Sequence, residues 1–168
     1  MADYNQSLCV PEAVARISAL DAEGIYWIEE PTRADDLVGH AQIASTVKTA
    51  IQLGENWWGA HDMLKSITAR ASDYVMLDAM KIGGVTGWMR ASAIAEAQGL
   101  PVSSHLFPEI SAHLLANTPT AHWLEYLDIA SAILQSPLHV EQGYALPSEV
   151  PGTGITWNEE AVKLSSSA

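Results

Sequence analysis

Cysteine is almost missing. The single Cys9 rules out an internal disulfide and fits a reducing cytoplasm, the expected location. No apolar run approaches the roughly 20 residues that span a bilayer, and no basic segment leads an apolar one at the start. Neither a membrane helix nor a secretion signal is therefore expected. Positive charge is scarce too. Eight Lys and Arg stand against 20 Asp and Glu, a net charge of −12, which opposes binding to phosphate backbones and argues against a nucleic-acid partner. Histidines lack the paired spacing that holds zinc. What remains is a 168-residue chain, 48% apolar, long enough for one domain with a sizeable core. Cys9 is expected to be a partly buried, inert thiol. The surplus of carboxylates is either a solvated surface or the material of a divalent-cation site.

Acidic or imidazole residues recur at nearly equal intervals. Asp3, Glu29, Glu55, Asp78 and His105 are separated by 26, 26, 23 and 27 residues, and Glu125 follows 20 later. A strand, a helix and their two loops need about that many, since a βαβ crossover with its strands takes roughly 30 residues. In a parallel barrel the residues ending successive strands all face one rim. The period therefore gathers scattered carboxylates into one pocket.

Local signals agree. Pro11 opens a helix with Ala13, Val14, Ile17 and Leu20 on its apolar face, ending at Gly24. Ile25 to Ile28 read as a strand delivering Glu29, with Glu30 and Pro31 starting the next loop. Asp35 or Asp36 caps a helix to about Val47; Thr49 to Leu53 form a strand that leads into Glu55. A helix over roughly His61 to Ala71, a strand from Tyr74 to Asp78, and a helix from Val85 to Gln98 closed by Gly99 follow. Pro101 to Ser104 deliver His105, a short helix covers Glu109 to Ala116, and Ala121 to Leu124 reach Glu125. Strict alternation predicts a parallel α/β sheet. The chain divides into a partial (β/α) barrel over 1–138 and a turn-rich tail over 139–168 with a short helix near Glu159 to Leu164. A complete (β/α)8 TIM-type barrel takes about 250 residues, so two or three leading strands are expected to be absent here.

Three carboxylates at one rim repel each other unless a cation sits among them, and all-oxygen ligation selects Mg2+ first and Mn2+ second. Any one of Asp3, Glu29 and Glu55 alone would read as a surface acid; equal spacing after apolar runs reverses that judgement. Asp78 and His105 come from adjacent strand ends, where a carboxylate can fix the tautomer of an imidazole and make it a general base. Taken singly they would be a capping Asp and a structural His. Lys81 is either catalytic or a salt-bridge partner within the rim. His40, His61, His113, His122 and His139 are read as structural, and Trp57, Trp58, Trp88 and Trp123 as core or interface. A divalent ion beside a strong base suits removal of a proton next to a carboxylate.

These segments carry a resemblance. Asp3-Tyr4-Asn5-Gln6-Ser7-Leu8, Trp27-Ile28-Glu29-Glu30-Pro31-Thr32, Gly54-Glu55-Asn56-Trp57, Asp78-Ala79-Met80-Lys81-Ile82-Gly83-Gly84 and Ser103-Ser104-His105-Leu106-Phe107 resemble the mandelate racemase and muconate lactonising group of the enolase superfamily. Glu109-Ile110-Ser111-Ala112-His113 and Ala121-His122-Trp123-Leu124-Glu125 extend the resemblance, and the His105 strand and the Glu125 segment point to its racemase branch. The resemblance implies an enolase C-terminal domain-like barrel in which Asp3, Glu29 and Glu55 hold Mg2+. It implies that His105, oriented by Asp78, is the base for one enantiomer of a 2-hydroxy acid. By the same resemblance Glu125 donates a hydrogen bond to the substrate carboxylate, Asn5 contacts the substrate's polar end, Lys81 supports the dyad, and Leu106 and Leu127 wall an aromatic ring. The group's Lys-x-Lys motif, which supplies the opposite-face base, does not occur in this chain, and neither does its capping domain. The expectation is thus the C-terminal part of a longer, homo-oligomeric enzyme, unable to racemise alone. Two rivals stand beside it: a sugar-acid dehydratase of the same superfamily, and a non-catalytic barrel fragment that folds only by association.

Overall fold

The computed structural model describes residues 1–165. Six parallel strands form one sheet in sequence order: β1 (Ala2–Asp3), β2 (Trp27–Glu29), β3 (Ala50–Leu53), β4 (Tyr74–Asp78), β5 (Val102–His105) and β6 (Ala121–Leu124). Each of the first five is followed by one helix: α1 (Val10–Leu20), α2 (Leu37–Thr46), α3 (Ala60–Ala69), α4 (Gly84–Gln98) and α5 (Pro108–Ala116). The sheet is an α/β partial (β/α)8 barrel, as the spacing predicts. Even the stub before Asp3 pairs, with Asp3 opposite Glu29.

Each strand has one fate per face. Ile28, Ile51, Leu53, Val75, Leu77 and Val102 pack outward, essentially inaccessible, against Ala13, Ile17, Ile43, Met63, Ala91 and Ala95 of the helices. The opposite face is polar. There Gln52 donates through Nε2 to Glu29 Oε2 at 3.0 Å and accepts from Ser103 Oγ at 3.1 Å, tying β2, β3 and β5 together. Burying the aliphatic face drives the fold, at roughly 25 cal/mol per Å2, and leaves the concave face for hydrogen bonding.

Helix boundaries follow the punctuation of the sequence. Pro11 sits in the first turn of α1, and Asp36 Oδ1 caps α2 by accepting from Gly39 N–H at 2.8 Å. Gly99, at φ +66°, closes α4. The helix read as ending at Gly24 stops at Leu20, and the intervening turn reaches Gly24 at φ +70°.

One expectation fails, and two others gain detail. Cys9 is exposed rather than partly buried, because it is the residue that starts α1 from outside. Trp57 and Trp88 belong to the core, but Trp58 is 73% and Trp123 53% exposed; Trp58 stands on the loop after β3 and Trp123 on the edge strand β6. The tail is more than turns. It holds an antiparallel hairpin of β7 (His139–Glu141) and β8 (Tyr144–Leu146) before α6 (Glu159–Ser165). It also folds back on the segment before it: Gln135 N–H donates to Thr156 O and Asn158 N–H to Ile133 O, both at 2.9 Å. Among the described residues no helix is long and apolar enough to cross a membrane.

Candidate active site

Register decides which side chains meet. Asp78 on β4 lies opposite His105 on β5, and His105 Nδ1 is 2.8 Å from Asp78 Oδ2. Asp78 is 3% exposed, and its other oxygen accepts from Met80 N–H at 2.8 Å and Lys81 N–H at 2.9 Å. The carboxylate is locked by the turn it starts, and so locks the imidazole ring. The predicted dyad is present.

The backbone around the rim is unusual. Asn5, Gln6, Glu30, Leu106 and Phe107 all take φ between +36° and +62°, and all lie in the loops that leave strand ends. Residues with side chains avoid this region, and such outliers gather at functional sites. One of them is pinned at both its N–H and its carbonyl. Leu106 N–H donates to Glu125 Oε2 at 2.7 Å, and Ser111 Oγ donates to Leu106 O at 2.9 Å. Glu125 N–H in turn donates to Ser104 Oγ, so Glu125 is held against the His105 loop.

Asp3, Glu29 and Glu55 occupy the ends of three consecutive strands but differ in setting. Glu29 is buried, and Trp27 Nε1 and Gln52 Nε2 both donate to its Oε2 at 3.0 Å. Burial holds its carboxyl above the ordinary range; the charges of Asp3 and Glu55 add to this, and the two donors oppose it. Asp3 is exposed, its Oδ1 accepting from Asn5 N–H at 2.7 Å. Glu55 is half-buried: Oε1 accepts from Asn56 Nδ2 at 3.1 Å and Oε2 lies 3.5 Å from His105 Nε2. Among the described residues no three His, Cys, Asp or Glu side chains converge at ion-binding distance. Closing the set requires the exposed Asp3 side chain to draw in toward Glu29, which Trp27 and Gln52 hold, and toward Glu55, which Asn56 holds. The donor set itself suits a hard cation: three carboxylates, each with one oxygen that takes no hydrogen bond among the described residues.

Sequence reasoning missed two members of the rim. Glu30, only 2% exposed, is pushed up to about 7 by burial, with Glu55, Asp3 and Glu29 adding to the shift against Asn56's donation. Asn56 gives Nδ2 to both Glu30 oxygens, at 2.9 and 3.1 Å, and receives Lys81 Nζ on Oδ1 at 3.0 Å. Lys81 is therefore bonded to Asn56 rather than directly to an acid. The doubled acid before Pro31 was the available signal for Glu30; nothing in the spacing pointed to Asn56. Of the other substrate-contact candidates, Asn5 and Leu127 are exposed on the rim and Leu106 is half-buried. Below the rim a cavity of about 180 Å3 is lined by Trp27, Gln52, Met76, Ser103, Trp123 and Glu125.

Comparison with known proteins agrees with this fold. A family model described as Enolase C-terminal domain-like matches residues 1–161. L-talarate/galactarate dehydratase of Salmonella typhimurium is 30% identical over 161 residues, covering 96% of this chain and 40% of the dehydratase. 3,6-anhydro-alpha-L-galactonate cycloisomerase of Streptomyces coelicolor is 31% identical, covering 95% of this chain and 45% of the cycloisomerase. Among solved structures, an enolase from Bradyrhizobium complexed with magnesium and mandelic acid superposes with a TM-score of 0.93 at 48% identity. That match covers 96% of this chain and 45% of the Bradyrhizobium chain. The chain thus spans less than half the length of these relatives. Parallel strands in sequence order, carboxylates at their ends and a family match over 161 of the 168 residues lead to one assignment: this chain belongs to the Enolase C-terminal domain-like family.

Proposed function

We propose that the chain supplies most of the catalytic rim of an enzyme that removes the α-proton of a small 2-hydroxy carboxylic acid. The observation that carries this reading is the Asp78–His105 pair on registered strand ends, with Nε2 of His105 turned toward the carboxylate cluster. An ionised Asp78 only accepts, so the ring proton sits on Nδ1 and the lone pair on Nε2. Nε2 is the atom that takes the α-proton. Glu125 keeps Oε2 for Leu106 N–H, which leaves Oε1 to carry a proton toward the substrate carboxylate as negative charge grows there. Asn5 and Lys81 face the substrate's polar end, and Leu106 and Leu127 wall its remainder.

Asp3, Glu29 and Glu55 are the residues that would hold Mg2+, with Mn2+ as a substitute. Bound there, the ion would neutralise negative charge on the substrate carboxylate and so ease removal of the α-proton. Magnesium in the solved structures of the Bradyrhizobium enolase and of a Polaromonas L-talarate dehydratase supports this assignment.

Two fates of the resulting enediolate have support. Dehydration is favoured by the curated relatives, which include dehydratases for talarate and galactarate, gluconate and galactonate. It also suits a single base: imidazolium at His105 returns its proton to a departing β-hydroxyl, the C–O bond breaks, water leaves and the enol becomes a 2-keto-3-deoxy acid. Racemisation is supported by the mandelic acid bound to the Bradyrhizobium enolase. It needs a second base on the opposite face, and no Lys-x-Lys lies within these 168 residues. Incubating the chain and Mg2+ with galactarate, gluconate or mandelate separates the two. Release of a 2-keto acid from a sugar acid supports dehydration; exchange of the mandelate α-proton for deuterium in D2O with no keto acid supports the racemase-type fate. The substrate in either case is a small acid, and the whole enzyme is expected to be a homo-oligomer.

A further inference from the structure

We infer that Asn56 is the positioning residue that sets the cation affinity of the rim, by fixing Glu55 through an amide oriented by Lys81. This rests on the ion-binding reading of Asp3, Glu29 and Glu55 given above. Three loops meet at one carboxamide: Glu30 follows β2, Asn56 follows β3 and Lys81 follows β4. The amide has only one acceptable orientation. An ammonium can only donate, so Oδ1 must face Lys81 Nζ, which leaves Nδ2 to donate to the oxygens of Glu30 and Glu55. Turning the amide over would set donors against the ammonium and an oxygen against two carboxylates. Lys81 and the acids therefore enforce the same choice from opposite sides.

The consequence falls on Glu55. Its Oε1 is held at 3.1 Å by Asn56, and the side chain is thereby stopped from turning away from the rim. Oε2 is left facing the interior, 3.5 Å from His105 Nε2, where it can serve a cation. Without the amide, Glu55 has no other hydrogen-bond donor among the described residues and loses its preferred rotamer. Groups that orient metal ligands in this way typically change affinity by about 10- to 100-fold when removed. Lys81 makes its hydrogen bond to Asn56, so its orienting effect on Glu55 is lost once Asn56 is gone.

The test is Mg2+ titration of the whole 168-residue chain by isothermal calorimetry after EDTA treatment, for wild type, N56L, K81M and the double variant. Leu keeps the branching of Asn at Cγ and removes its hydrogen bonds. The expected result is a Kd raised about tenfold or more in N56L, raised by a smaller factor in K81M, and no higher in the double variant than in N56L. An N56L chain that binds within twofold of wild type overturns the inference while leaving the ion site intact. So does a double variant whose loss is the product of the two single losses, or a lower melting temperature in EDTA with an unchanged Kd. Should N56L fail to fold, K81M alone decides, since an unaltered Kd there removes the proposed orienting role. A wild-type chain that takes up no Mg2+ overturns both this inference and the ion-binding reading beneath it.

Discussion

At the scale of single residues the account depends on two atoms, His105 Nδ1 and Asp78 Oδ2. H105N removes the lone pair that takes the proton, and is expected to lower α-proton exchange at least about 100-fold. D78N leaves the shape intact but offers its amide where a carboxylate held the tautomer, and should fall by a comparable factor, with circular dichroism unchanged. Glu30 gives a pH signature. Its carboxyl titrates near 7 in the folded chain against an ordinary value of 4.5, so the native state keeps a proton that the unfolded chain releases between those values. Stability from Glu30 is whole below about 4.5 and declines as pH rises through about 7. Melting in EDTA should therefore show E30Q gaining on wild type across that window, by on the order of 2 kcal/mol at pH 8. His40 works in the opposite direction: burial lowers its affinity for a proton, so its contribution is complete above 6.5 and is lost as pH falls below that value. The Asp78–His105 pair was legible in the sequence because both ride on consecutive strand ends. Glu30, Asn56 and Lys81 were not recognised as a network, because three loop residues carry no period and spacing says nothing of side-chain direction.

At the scale of elements, the residues that position the site are caps and close approaches. Asp36 caps α2, and D36A is expected to cost about 1 kcal/mol in urea denaturation. Gly54 delivers Glu55 at φ +140°, and a Cβ there would stand 2.3 Å from Met76 O. G54A should therefore cost about 2 kcal/mol or more and displace the β3 loop from β4. Parallel strands and helices were legible because alternation, proline and glycine mark their limits. The β7–β8 hairpin escaped. Its two-residue turn, Gln142-Gly143, has φ of +51° and +82°, the geometry of a mirror-image turn, but Gln is not among the residues that advertise it. The exposure of Trp58 and Trp123 was equally invisible, since a tryptophan reads the same on an edge as in a core.

The whole molecule carries more surface than its mass requires. It exposes 9429 Å2, whereas a compact monomer of 18.1 kDa exposes about 8,100 Å2. The excess is comparable to one partner's share of a protein–protein interface, roughly 800 Å2 or more. Part of it lies on and just after the edge strand β6, where Trp123, Tyr126, Leu127 and Ile129 are all exposed. Light scattering is thus expected to show association beyond 18.1 kDa at micromolar concentration, and a strictly monomeric chain with a sharp melt would show that this surface needs no cover. The central claim is chemical, however: that the concave face of this partial barrel holds a working base beside a cation site. The direct measurement is proton NMR of (R)-mandelate, and of galactarate in parallel, in D2O with this chain and Mg2+. The account predicts that the α-proton signal of one acid fades, that H105N abolishes the loss, and that EDTA abolishes it too. Full retention of both signals by a chain whose own resonances are dispersed would contradict it.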